Sequence, residues 1–464
     1  MSRIGRILEV KWPWNPLATK VQKSNIGVIV TQSKNDQLNK YAHQYIPGGA
    51  HTYSRGDDQY PLNAPKVLDR GKGAHVWDVD GHKFLDFGMA LRAITVGYDY
   101  DRISAAAIRE IHKGNNLTRP SETEVLAAKD ICELIPWCEM VKFGKNGSTV
   151  VSAAVKLARA FTGRKMIARC IDQPFFSYDD WFIGDTQVSR GVPEEIRALT
   201  VNWQFNNLDS LERVFKKYPG QIACIVCEPA STIEPKPGFL QAIIDLTHHH
   251  GAVVILDEMI TGFRWHSQGA CKYYDVVPDL VTFGKGMANG FSVAAVGGRR
   301  EIMELGGLNH KDERIFLVST THGAEMCGLG AFRETLKVYD ELKVPDRLWA
   351  SGRRLVDGMN AIAADLDIRE SFYVEGPSCS PAFICKDASG AVSMAHRTLF
   401  MQEMIKRGVL MPWIALCYEH SDADIDRAIA ATGESLTIYK KALTDGAEAY
   451  LVGRPVKPVF RKFN

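Results

Sequence analysis

Between residues 100 and 345 the chain alternates short apolar runs with longer stretches of helical periodicity. The runs are "MVKFG", "MIARCI", "ACIVCEP", "AVVILDE", "LVTFGKG" and "VAAVGG". Most are continuous rather than alternating, which predicts strands covered on both faces, as parallel sheets require. Strand-helix alternation on this scale predicts an α/β fold with a largely parallel sheet, of the seven-stranded type, wrapped by helices. Upstream, "HVWDVDGHKFLDFG" places Asp80-Gly81 between two alternating runs, a hairpin signal. Beyond residue 345 the pattern turns helix-rich with fewer strands. The expected plan is an extension over 1–37, a large domain over 100–345, and a small α+β domain built from 38–99 and 346–464.

Composition narrows the function little. With 45% apolar and 24% charged residues and a formal net charge of +2, nothing points to nucleic acid or a membrane surface. The basic start "MSRIGRILEVKWPWNPLATK" is interrupted by Lys11 and Pro13 before any apolar run reaches signal-peptide length, and no later segment suits a bilayer. A cytoplasmic location is expected. Ten cysteines show no metal-type grouping; Cys224 and Cys227 share an expected strand but face opposite ways, so reduced, packed thiols are expected. The run His248-His249-His250 suits a helix C-terminus before a capping Gly251.

Candidate chemistry gathers where strands end, because open α/β sheets bind ligands beyond their carboxyl edges. In "GAVVILDEMITGFRW" the buried run stops on Asp257 and Glu258. An unpaired charge there is costly, so one acid needs a cationic partner, and the pleat lets only one of the two face it. Glu258 is expected to pair within the protein or with Arg264. In "LVTFGKGMANG", Lys285 follows a strand between Gly284 and Gly286, where a desolvated amine becomes a nucleophile able to form a Schiff base. In "KFGKNGSTVVSAAVKLARAFTG" a turn through Asn146 and Gly147 leads to a helix with Ser148 as its expected N-cap, a phosphate-binding arrangement without Walker spacing. Pyridoxal 5'-phosphate uses all three: a lysine, a phosphate cradle, and an acid facing its ring nitrogen.

These segments, with "IPGG", "CEPA" and "VGGRREIM", make the chain similar over about 40–435 to class III, fold-type I aminotransferases, especially the glutamate-1-semialdehyde aminomutase group. The resemblance implies that Lys285 bonds the cofactor and shuttles protons, that Asp257 faces the ring nitrogen, and that Gly147 and Ser148, beside Asn146, bind phosphate. It implies that Thr321 reaches the phosphate of a neighbouring subunit, hence a homodimer with shared sites, and that Glu228 lies near the cofactor. It places Arg55 where aminomutases hold the substrate carboxylate. One departure stands out: "DQPFFSYDDWF" puts Phe175 and Phe176 where the family has Tyr-His, so Phe175 keeps a face for stacking but no hydroxyl. The segment "LMPWIALCYEHSD" is also shorter than its counterpart. The expected activity is amino transfer from a small amine to a small, anionic aldehyde or ketone. Alternatives are an intramolecular aminomutase and a catalytically idle cofactor-binding scaffold.

Overall fold

The computed structural model describes residues 33–463. In chain order its strands are β1 (Leu68–Lys72), β2 (His75–Asp78), β3 (Lys83–Asp86), β4 (Met140–Gly144), β5 (Met166–Cys170), β6 (Thr200–Trp203) and β7 (Ile222–Cys227). They continue with β8 (Val253–Glu258), β9 (Leu280–Phe283), β10 (Ala294–Gly298), β11 (Phe372–Glu375), β12 (Ala382–Cys385) and β13 (Val409–Leu410). The central sheet has seven strands in the order β4-β10-β9-β8-β7-β5-β6. All run parallel except β10, which is antiparallel to both β4 and β9.

The apolar runs become strands because both sheet faces are covered. Every residue of β7 and β8 is buried, including Cys224, Cys227 and the two acids that end β8. The helix Gly147–Thr162 buries Val150, Val151, Ala154, Val155, Leu157 and Ala158 on one side and stops at Gly163, whose φ of 67° is left-handed. The apolar pattern does not announce β6: "TVNW" is short, mixed in polarity and at the sheet edge. The histidine run ends the helix Phe239–His249. There His248 Nε2 lies 2.8 Å from Asp279 Oδ2, and His250 stacks on Phe215.

Both chain ends meet in a second sheet, β1-β2-β3-β13, whose Asp80-Gly81 hairpin has Gly81 at φ 92°. Asn35, at the start of the helix Lys34–Tyr45, donates to Asp78 Oδ2 and Asp80 Oδ2 at 2.9 Å each. The expected extension therefore already joins the fold at its end; residues 1–32 lie outside the described residues. The β11-β12 hairpin and the helices Val344–Asp365, Met394–Lys406 and Asp422–Asp445 complete this part. Among the described residues no helix is long and apolar enough to cross a membrane.

Candidate active site

The pleat separates the two acids that end β8. Asp257, 2% exposed, accepts at Oδ1 from the Met259 N–H (2.9 Å) and the Thr282 hydroxyl (3.0 Å). No described residue donates to its Oδ2. Glu258 turns the other way and accepts from Thr261 Oγ1 (2.7 Å), Ala270 N–H (2.7 Å) and Cys271 N–H (2.8 Å). Glu258 thus pairs within the protein, but not with Arg264, which donates to the carbonyls of Leu416 and Arg92 at 3.0 Å. A Cβ on Gly269 (φ 85°) would lie 2.6 Å from Glu258 Oε1, so glycine is needed there. Burial pushes the Asp257 carboxyl up to about 6, opposed by the positive charge of Lys285.

Lys285 follows β9, the neighbour of β8, and adopts a left-handed φ of 44°. Burial drives its amine below the usual lysine range, while Asp257 and Glu228 pull it back up. The loop after it is clamped. Gly286 O accepts from the Tyr339 hydroxyl and from Thr95 Oγ1 (3.4 Å). Asn289 accepts from the N–H groups of Thr95 (3.1 Å) and Val96 (3.0 Å) and donates to Gly97 O (2.9 Å). Glu228, just beyond β7, completes a buried acid-base group. Its backbone is clasped by Gln173, which accepts from its N–H (2.7 Å) and donates to its carbonyl (2.9 Å). Burial first, then the charge of Asp257, raises Glu228 to about 8.

The helix at Gly147 starts one strand away from this group. Its cap is Asn146, which accepts from the N–H (3.0 Å) and hydroxyl (3.1 Å) of Thr149. This corrects the expectation that Ser148 caps the helix. Ser148 is inside the first turn, and its hydroxyl accepts from the Tyr178 N–H at 3.1 Å. The N–H groups of Gly147 and Ser148 have no acceptor among the described residues and form part of the positive end of the helix. Met259 ties the three parts together: a Cβ on Gly147 or Gly284 would lie 2.9 or 2.6 Å from its sulfur.

The remaining expected site residues lie further out. Phe175 is 46% exposed and meets Phe182 and Phe460 edge-on or tilted at 5.7 and 6.5 Å, while Phe176 is buried against Phe182. The aromatic beside the helix start is Tyr178, with its hydroxyl 3.3 Å from Thr149 Oγ1. Arg55 is exposed, lining a cavity of about 730 Å³ with Tyr60, Gly88, Leu91 and Trp413. Thr321 is exposed too, and its carbonyl accepts from Asn116 Nδ2 at 3.0 Å. Sequence reasoning missed Gln173, Thr282, Met259, Asn289, Tyr178 and Arg92. Only Gln173, in a polar break after β5, left a local signal, and an ambiguous one.

A lysine and a buried acid ending adjacent parallel strands, beside an open helix start, place the molecule among pyridoxal-phosphate enzymes of fold type I. The comparisons agree. Residues 57–410 match the family "Aminotransferase class-III", to which the chain belongs. It is 32% identical to a 3-aminobutyryl-CoA aminotransferase from Cloacimonas acidaminovorans, over 87% of this chain and 96% of that protein. It is 30% identical to a glutamate-1-semialdehyde 2,1-aminomutase from Anaeromyxobacter dehalogenans, over 85% and 96% of the two chains. The solved internal aldimine form of FumI from Sphingopyxis sp. MTA144 superposes with a TM-score of 0.82 at 25% identity, covering 92% of this chain and 99% of that one. An omega-transaminase from Sphaerobacter thermophilus gives 0.79 at 24% identity, covering 88% and 98%.

Proposed function

We propose that the protein moves an amino group from a small amine to a small anionic aldehyde or ketone, with Lys285 as the base. Pyridoxal phosphate supplies an aldehyde that bonds amines and a ring that draws electrons from the reacting carbon. The donor set fits that group. The open Oδ2 of Asp257 is the acid for the ring nitrogen, and the free N–H groups of Gly147 and Ser148 suit a phosphate dianion. Burial lowers the Lys285 amine below the usual lysine range, which favours the uncharged Nζ that would hold the aldehyde and, when free, would move a proton at the reacting carbon. Thr321, exposed on its own chain, serves the phosphate of a second copy, which makes the working unit a homodimer. The cytoplasm is the compartment this reading assigns.

The observation that carries the proposal is the buried Asp257 at the end of β8, set within electrostatic reach of Lys285, which follows the adjacent strand β9. Borohydride reduction of the loaded protein, followed by peptide mapping, should tag Lys285, and Lys285→Ala should abolish amine-dependent turnover. A fully active Lys285→Ala variant refutes the proposal. The aminomutase reading draws on the 30% identity to glutamate-1-semialdehyde aminomutases. Protein loaded with pyridoxamine phosphate separates the two: only a mutase converts glutamate-1-semialdehyde to 5-aminolevulinate without added amine.

A further inference from the structure

Four consecutive non-glycine residues after β3, Met89 to Arg92, have left-handed φ values of 40°, 48°, 63° and 68°. Such a turn is unfavourable at every L-residue and persists only where its surroundings impose it. Here the buried Asp86 carboxylate accepts the N–H groups of Gly88 (2.7 Å) and Met89 (3.0 Å). The Gly88 carbonyl accepts from Trp413 Nε1 at 3.0 Å, and the Arg92 carbonyl accepts from Arg264. The outcome is a half-buried guanidinium. Arg92 Nε is buried without a partner, and its Cζ sits 6.0 Å from the Trp413 ring centre. Among the described residues its side chain forms no hydrogen bond or ion pair.

The neighbours do not neutralise it. Arg264 and Arg397 add like charge; they are occupied by the carbonyls of Leu416, Arg92 and Pro412, with Arg397 also over the Phe383 ring. Neither forms an ion pair among the described residues. Glu228 is the acid whose charge acts on Arg92, yet the two stay outside ion-pair distance. Burial and the charge of Asp257 raise Glu228 to about 8, which favours its neutral form and weakens its hold on the positive charge. The charge of Arg92 in turn acts on Lys285. A half-buried, unpaired guanidinium with a buried Nε, whose charge reaches the Lys285 amine, calls for an anion from outside.

We propose that Arg92 binds the carboxylate of the substrate within reach of Lys285. This rests on the amino-transfer reading for the identity of the substrate. The planar fork of a desolvated guanidinium suits a carboxylate and binds it more strongly than an exposed one can. Arg55, exposed at the cavity wall, is the weaker candidate for that task.

The test measures butyrate and butyramide binding to the loaded protein by calorimetry, without turnover. Arg92→Met should weaken butyrate roughly 10- to 100-fold while leaving butyramide unchanged, the loss expected for a charge-assisted pair. Arg92→Lys, which keeps the charge without the fork, should fall between, and it decides the matter if Arg92→Met fails to fold. Unchanged butyrate affinity in Arg92→Met, equal binding of both probes by the wild type, or loss of butyrate only on Arg55→Ala overturns the proposal. Failure of the amino-transfer reading shows separately, as no spectral response to any amine donor alongside an intact butyrate measurement.

Discussion

Replacing Asp257 with asparagine should stabilise the cofactor-free protein while impairing its function. The carboxyl titrates at 3.8 when unperturbed and at about 6 in the fold, so between those values the folded chain holds a proton that the unfolded chain lacks. Stability therefore falls as pH rises through this window, and the full penalty applies above about pH 6. About two pH units at 1.36 kcal/mol each give about 3 kcal/mol. The substituted asparagine would keep an Oδ1 to accept from Met259 and Thr282, and it lacks the charge. Its amide group needs a partner in place of Oδ2, costing about 1 kcal/mol. The variant should thus exceed wild type by roughly 2 kcal/mol at pH 8 and by well under 1 kcal/mol at pH 5. Urea unfolding of cofactor-stripped protein, followed by tryptophan fluorescence at both pH values, measures the gap. A variant less stable at pH 8, or a gap independent of pH, refutes the reasoning. Added pyridoxal phosphate should reverse the order, because only the aspartate answers a protonated ring nitrogen.

Asn289→Ala strips partners from two backbone N–H groups and one carbonyl, all buried, and should cost roughly 3 kcal/mol and loosen cofactor retention. Thermal unfolding checks it, and a loss below about 1 kcal/mol would show that the clamp is not needed. Gly284→Ala meets no backbone obstacle, since its φ of 180° is extended, but its Cβ would lie 2.6 Å from the Met259 sulfur. It should cost about 1–3 kcal/mol by overpacking, and Met259→Ala in the same chain should recover part of that. A double variant no more stable than Gly284→Ala alone would mean that the sulfur does not set the spacing.

What the sequence revealed follows the range of the forces involved. Asp257 and Lys285 were legible because each ends an apolar run, and strand ends are where such sheets hold ligands. Asn146 and Ser148 are both good N-caps two positions apart, so the local sequence could not choose between them. The choice is tertiary: the Tyr178 N–H takes the Ser148 hydroxyl, leaving Asn146 to cap. The doublet Phe175-Phe176 likewise says nothing of which ring faces inward; packing against Phe182 buries Phe176. Arg92 was hidden most deeply. No glycine marks the left-handed turn within "MALR", and the residues around its side chain, Trp413, Arg264 and Arg397, come from distant parts of the chain.

That contrast separates two halves of the site. The proposed cofactor half is built from β7, β8 and β9 of the central sheet and from the helix at Gly147, with Met259 packed against both Gly147 and Gly284. The proposed substrate half is built from the turn after β3 and from Arg397 and Trp413 near β13, segments joined through the second sheet. A change in the second half need not disturb the first, because no strand is common to both sheets. Relatives at 32% and 30% identity bear the names of different reactions. Backbone strain and an unpaired, half-buried charge persist in the substrate half, where folding alone gives no reason to keep them. Specificity should therefore be sought in the Met89 to Arg92 turn and its neighbours, and the capacity for amino transfer in the strand ends.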